Sequence, residues 1–260
     1  MKGLELIKEG DWILINYDDK RYLKRVNIEH NFSYKKGNIQ YKDLIGKPYG
    51  IKIGEITIFK PTIEDIILYG INRLTQIVYP KDSFYIASKL NILENDVMLE
   101  FGTGSGAASL VFSYLLKESG KLISFEKEER LYKNAKKNIE KFKIYDNITL
   151  LNQEFNLKNF QKEFKDLKID KAFVDIREPN PILNELFDVL KPSANVCFLL
   201  PTTNQVIDLL KNIRIYFDSI EVKEILVRNY KIVPERFRPE DIMSAHTAYL
   251  IFAKRKLEKG

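Results

Sequence analysis

The sequence predicts an α/β protein, in which a doubly wound, mostly parallel sheet with an antiparallel last strand follows a small N-terminal β module. Three observations carry this prediction. From Asp82 onward, short apolar runs of strand type alternate with helical stretches, the rhythm of a parallel sheet covered on both faces. Near the C-terminus two strand-like runs, residues 221–227 and 247–253, are joined by an irregular stretch rather than a crossover helix, as an antiparallel pair is. Between Asp11 and Phe59, by contrast, short β-type runs are separated by Gly and polar turns.

With 260 residues, 45% of them hydrophobic, the chain can bury one substantial core and carry a small appendage, but not two full enzymatic domains. The expected module is residues 1–62, with strands at residues 12–15, 22–26 and 55–59. Pro61 ends it, and Thr62 followed by Glu64 and Asp65 opens a helix through Ile66, Ile67 and Tyr69. In the main domain, residues 63–260, strands are expected at residues 97–101, 122–125, 148–151, 171–174 and 195–200. Leu131, Ala135, Ile139 and Phe142 recur at helical spacing, as do Val206, Leu209, Leu210 and Ile213, so each set marks one apolar stripe of a covering helix.

The apolar runs at residues 110–116 and 196–200 fall short of the roughly 20 residues a membrane span needs. The first eleven residues show no hydrophobic stretch and no small-residue cleavage site, so a cytoplasmic protein without a membrane segment is expected. Cys197 is the only cysteine, which excludes an intrachain disulfide and a multi-cysteine metal site and suits a reducing compartment. A formal charge of +6, from 42 basic and 36 acidic residues, attracts a polyanion only modestly. The local clusters matter more: Lys20, Arg21, Lys24 and Arg25; Lys133, Lys136, Lys137, Lys141 and Lys143; Arg228, Lys231, Arg236 and Arg238. Each is either a polyanion contact or ordinary solvated surface.

The sharpest feature is Glu100-Phe101-Gly102-Thr103-Gly104-Ser105-Gly106, directly after an apolar strand and directly before a helical run at residues 107–116. Glycines let the backbone turn tightly and approach a ligand, and the helix start presents unpaired N–H groups. In an open, Rossmann-like sheet such a ligand sits at the strand carboxyl ends, at the topological switch point. A dinucleotide loop reads Gly-x-Gly-x-x-Gly, whereas here the spacing is Gly-x-Gly-x-Gly, which favours a methyl donor. Glu126, closing the second strand, is placed to accept from both ribose hydroxyls of such a donor, or else to cap a helix beginning at Lys127. Glu154, after the third strand, is a candidate acceptor for the adenine amino group, in a polar segment where a solvated loop residue is the alternative. Asp175 closes the apolar strand Ala172-Phe173-Val174 at the same sheet edge, with a helix cap before Pro179 as its alternative role.

Several separated segments resemble the tRNA adenine-N1 methyltransferases that modify adenosine 58 of the T-loop. They are Arg73-Leu74-Thr75-Gln76-Ile77-Val78-Tyr79-Pro80-Lys81-Asp82, Pro201-Thr202-Thr203-Asn204-Gln205-Val206, Pro239-Glu240 with His246-Thr247-Ala248-Tyr249-Leu250, and Leu44-Ile45-Gly46-Lys47-Pro48-Tyr49-Gly50. The resemblance implies a class I methyltransferase domain that uses S-adenosyl-L-methionine, a tRNA substrate methylated at adenosine 58, with or without 57, and a homotetramer. It implies a donor site lined by Gln76, residues 79–83 including Tyr79 and Ser83, Glu100, Gly102, Thr103, Gly104, Ser105, Gly106, Glu126, Glu154 and Asp175. Asp175 is the catalytic residue it carries over, and Tyr79 the aromatic face for an extruded base, with core packing as Tyr79's alternative. Asn204, Gln205 and His246 fall on the substrate side, and a structural histidine is the other reading of His246.

The chain departs from the family pattern after Asp175, where Ile176-Arg177-Glu178-Pro179-Asn180 replaces a segment with an earlier proline and a Pro-Trp pair. Ala245 stands where glycine is usual, and Glu154 where aspartate is commoner. The rival readings are a non-catalytic tRNA-binding subunit of a heteromeric enzyme and a methyltransferase for protein carboxylates or small molecules.

Overall fold

The computed structural model describes residues 4–165, 167–243 and 245–260. The chain forms two compact units, the first ending at Ile71 and the second spanning Asn72–Gly260.

In the first unit, β1 (Trp12–Tyr17), β2 (Lys20–Arg25), β3 (Asn31–Tyr34), β4 (Gly37–Gln40), β5 (Lys52–Ile53) and β6 (Ile56–Phe59) precede α1 (Ile63–Tyr69). Four of the strands form an antiparallel sheet of order β2-β1-β6-β5, and β3 pairs with β4 as a separate hairpin. The β1–β2 turn places Asp18 and Asp19 at φ 50° and 58°, the left-handed pair that a tight hairpin requires and that aspartate tolerates. Ile7, Ile13, Ile15, Val26, Ile56 and Ile58 fill the core between these layers. Thr62 and Asp65 build the expected helix start as a capping box. The division between the units falls after Ile71, not at residue 62, because α1 stays with the sheet: its buried Asp65 carboxylate lies 3.7 Å from Arg21 of β2. The polar β3–β4 hairpin carries too little apolar alternation to be legible in the sequence.

The second unit runs α2 (Pro80–Leu90), β7 (Val97–Phe101), α3 (Ala107–Leu116), β8 (Lys121–Phe125), α4 (Glu129–Phe142), β9 (Ile148–Leu151), α5 (Leu157–Phe164), β10 (Ile169–Val174), α6 (Leu183–Val189), β11 (Leu190–Leu200), α7 (Thr203–Asn212), β12 (Phe217–Lys223) and β13 (Tyr249–Arg255). The sheet order is β12-β13-β11-β10-β7-β8-β9, and β13 runs antiparallel to both of its neighbours while β7 to β11 pair in parallel. Ala135, Ile139 and Phe142 turn the predicted stripe of α4 into the core, as Val206 and Leu209 do for α7.

One expected strand is displaced. The run Ile225-Leu226-Val227 predicts a strand over residues 221–227, yet β12 ends at Lys223 and begins at the buried Phe217. Leu226 and Val227 are instead exposed, on the irregular connection to β13.

What positions the site is the register. Phe101 of β7 pairs with Phe125 of β8 on one side and with Val174 of β10 on the other, so the residues that follow, Gly102, Glu126 and Asp175, leave the sheet level with one another. The order reverses at β7, which makes this edge the switch point where a parallel sheet opens a crevice. Phe101 and Phe125 stack 5.8 Å apart with Phe155 edge-on to both, and this aromatic floor stiffens the edge from below.

Candidate active site

The glycine loop is folded against the next strands rather than standing free. Gly102 N–H donates to the Phe125 carbonyl at 2.9 Å, and Asp175 N–H donates to that of Phe101 at 2.8 Å. Gly102 sits at φ +86°, and a Cβ there would lie 2.1 Å from the Asp175 backbone oxygen. Any side chain is therefore excluded twice, by the left-handed backbone and by a backbone atom that has nowhere to move. The same approach fixes Asp175 beside the loop. Gly106 is the N-cap of α3 and supplies no side-chain cap, leaving the first-turn N–H groups for a ligand or solvent.

Three carboxylates gather under this loop. Glu126 is buried, and its oxygens accept from the N–H groups of Gly104 and Glu128, each at 3.0 Å. α4 starts at Glu129, so Glu126 is not the cap of a helix at Lys127; it ties the loop to the end of β8. Glu100 is fully buried, and its Oε2 accepts from the hydroxyls of Ser109 at 2.5 Å and Ser124 at 2.6 Å. Ser124 in turn shares a 2.6 Å hydrogen bond with Thr103 of the loop, and Glu100 Oε1 has no partner among the described residues. Burial pushes the Glu100 carboxyl up to about 7, against the two serine hydrogen bonds and with help from Asp175 and Glu126. Asp175, partly exposed, is likewise pushed up to about 7, first by burial and then by the charge of Glu126. Anions held this close resist ionising together, and a cation among them would relieve the strain.

The remaining expected residues fall into three groups. Gln76 is exposed on the segment before α2, Tyr79 is half-buried at the helix start, and Ser83 is fully buried with its hydroxyl 3.4 Å from the Pro80 carbonyl. Asn204 is exposed in the first turn of α7, while Gln205 donates at 3.0 Å to the carbonyl of Arg177, two residues beyond Asp175. His246 places Nδ1 2.6 Å from the Glu224 carboxylate and Nε2 2.9 Å from the Pro201 carbonyl, and its pKa is raised, by Glu224 first. Glu154 is exposed to solvent, with its carboxylate 3.4 Å from the Lys127 ammonium.

Sequence reasoning missed two clusters. Asn134 and Asn138, one turn apart on the buried face of α4, hold both the backbone and the side chain of Asn72, and Asn138 also donates to the Ser105 carbonyl at 2.9 Å. They tie the segment entering α2 to the glycine loop. Two asparagines interrupting an apolar stripe are the signal that could have found them. The second cluster joins Lys81 and Asp82 to Thr247, residues from two segments far apart in sequence.

A glycine loop at the switch point, acids closing the flanking strands and a single reversed strand next to the edge define a class I methyltransferase fold. Solved structures agree. The crystal structure of the tRNA (m1A58) methyltransferase TrmI from Aquifex aeolicus is 44% identical, covering 96% of this chain and 99% of that one, at a TM-score of 0.84. A SAM-dependent O-methyltransferase from Thermotoga maritima is 33% identical over 98% and 96% of the two chains, at a TM-score of 0.86. The tRNA (adenine(58)-N(1))-methyltransferase catalytic subunit TRM61 of Candida albicans is 28% identical across 89% of this chain and 72% of its own length. The chain belongs to the family described as the tRNA methyltransferase complex GCD14 subunit, whose model matches residues 54–248.

Proposed function

We propose that the protein methylates N1 of adenine in tRNA, at adenosine 58 of the T-loop, with or without adenosine 57, and with S-adenosylmethionine as donor. The carrying observation is that Asp175 leaves β10 level with Gly102 and Glu126, so one acid faces the crevice that the donor loop bounds. The residues fit a cationic, ribose-bearing donor: a loop with no side chain at Gly102, an uncapped helix start, and three crowded carboxylates. Glu126 would hold the ribose hydroxyls and Glu154 the adenine amino group, while Gln76, Ser83, Glu100 and Thr103 to Gly106 shape the donor side.

When bound, the donor supplies an electrophilic methyl group. The chain's own task is alignment and charge stabilisation. Adenine N1 already carries a lone pair, so no base is needed before attack, and positioning alone can contribute roughly 7–11 kcal/mol. Asp175, once ionised, accepts from the exocyclic N6 amine, orients the ring and favours the positive charge it acquires. Pairing occupies N1 in a duplex, so the base must be swung out and held, with Tyr79 as its stacking face. Asn204, Gln205 and His246 form the outer wall on the RNA side.

The three basic clusters supply the attraction for tRNA. For the assembly we infer a homotetramer, as the resemblance to the family implies. No helix among the described residues is long and apolar enough to cross a membrane, and we place the protein in the cytoplasm. Labelled methyl groups should pass to a tRNA transcript and fail to pass to one carrying guanosine at 57 and 58. Transfer to both transcripts alike, or only to a small hydroxyl compound, would replace this reading by the O-methyltransferase one. Absence of heat on titrating S-adenosylmethionine would favour a non-catalytic subunit.

A further inference from the structure

Two residues beyond Tyr79, inside the segment 79–83 that the family resemblance assigns to the donor site, lies a polar junction in which the Lys81 and Asp82 side chains are engaged with the protein itself. The Lys81 side chain is 17% exposed and that of Asp82 2%. The ammonium of Lys81 reaches both Asp82 oxygens at 2.8 and 2.9 Å, the Ile225 carbonyl at 2.8 Å and the Thr247 hydroxyl at 2.7 Å. Its three protons are thereby consumed. Thr247 donates to Asp82 Oδ2 at 2.9 Å, closing the cluster. A second junction stands beside it, where His246 spans the Glu224 carboxylate and the Pro201 carbonyl.

The two junctions share one geometric consequence. Glu224 and Ile225 leave β12, and His246 and Thr247 lead into β13, so together they close the neck of the whole β12–β13 excursion. Beyond the neck the excursion is held, among the described residues, mainly by its own contacts: the stacked Tyr230 and Phe237 at 5.3 Å, the Tyr230–Pro239 bridge and the Lys231–Asp241 pair. From the neck, hydrogen bonds also run toward the acid. Pro201 precedes Thr202, the cap of α7, whose Gln205 bonds Arg177 just past Asp175.

We infer that Lys81, Asp82 and Thr247 are positioning residues that set where the excursion stands against the base-binding side, without touching donor or base themselves. The inference rests on the tRNA-methylation reading for its kinetic readout and on geometry for its physical one. Replacing Lys81 alone would strand the buried Asp82 carboxylate, so the decisive change is Thr247→Val, which removes one hydroxyl at nearly constant shape, with Thr247→Ser as the rescue. Tryptic cleavage of the folded protein at Arg228, Lys231 and Arg236 should be about tenfold faster in Thr247→Val, because an opened neck frees the excursion more often. KM for the tRNA transcript should rise about tenfold while S-adenosylmethionine affinity by calorimetry stays within about twofold, and Thr247→Ser should restore both cleavage and KM. Wild-type cleavage and KM in Thr247→Val would overturn the proposal. So would a loss of donor affinity as large as the rise in KM, which marks a general structural role. If the wild-type protein methylates no tRNA, the functional reading fails, while the cleavage comparison still decides whether the neck holds the excursion.

Discussion

The two halves of the sheet edge that the proposed function assigns to donor and to substrate are built differently. The donor half comes from one contiguous motif and from strand register: Glu100 through Gly106, with Glu126 and Asp175 delivered beside it by β8 and β10. The substrate half is assembled from segments far apart in the chain, tied by single side chains, as Gln205 ties Arg177 and Thr247 ties Asp82. Rigidity through backbone pairing reinforced by side-chain ties on one side, and through long-range polar links alone on the other, means that equal insults should produce unequal losses. The donor half should fail abruptly and the substrate half by degrees.

The largest effect is expected where the halves meet. Asp175→Ala should lower turnover by about 10³-fold, the scale of losing one preorganised charge interaction, while donor affinity stays within about tenfold. Wild-type turnover would remove Asp175 from the chemistry. On the donor side, Gly102→Ala forces a methyl onto a backbone oxygen, so S-adenosylmethionine affinity should fall at least about a hundredfold, or about 2.7 kcal/mol. Calorimetry showing unchanged affinity would mean that the loop relaxes freely and that the contrast between the halves is false.

A smaller effect follows from pH. In the proposed reaction Asp175 acts as the anion, yet its carboxyl in the ligand-free protein is pushed up to about 7. The kcat/KM for S-adenosylmethionine, which reports the free protein, should therefore rise with pH and level off above 7, and be about tenfold below the plateau one unit under that value, whereas at saturating donor the sulfonium charge should move the rise to lower pH. For stability the sign is opposite. Between the ordinary aspartate value and 7 the folded state binds more protons than the unfolded one, so the ligand-free protein loses stability as pH rises through that window and is level above it. Glu100, also raised to about 7, acts in the same direction. A flat kcat/KM between pH 6 and 8 would show an Asp175 that is already ionised. The smallest change belongs to the surface. Replacing Arg228 and Arg236 by Ala should lessen the slope of log tRNA affinity against log salt by about 1 for each phosphate no longer neutralised, and an unaltered slope would return both to ordinary surface.

The same contrast explains what is legible in the sequence. Strand–loop–helix at Gly102, the acids at strand ends and the stripes of α4 and α7 are local patterns, and local patterns survive in one dimension. The position of β12 is not legible, because Ile225-Leu226-Val227 has strand-like apolarity but is exposed on the connection, a fact set by the fold rather than by propensity. The role of Asn134 and Asn138 as tethers of Asn72, and of Lys81 with Thr247, depends on partners 62 to 166 positions away. Residue types could mark these side chains as out of place on a buried face, but not say what they hold.

On this account the acceptor atom is a ring nitrogen of adenine, oriented by Asp175 across from the glycine loop. Mass spectrometry of nucleosides from tRNA incubated with the protein and S-adenosylmethionine tests it most directly. The predicted product is 1-methyladenosine, formed by the wild-type protein and nearly absent with Asp175→Ala. A methylated hydroxyl, or 1-methyladenosine formed equally well by the variant, would contradict it.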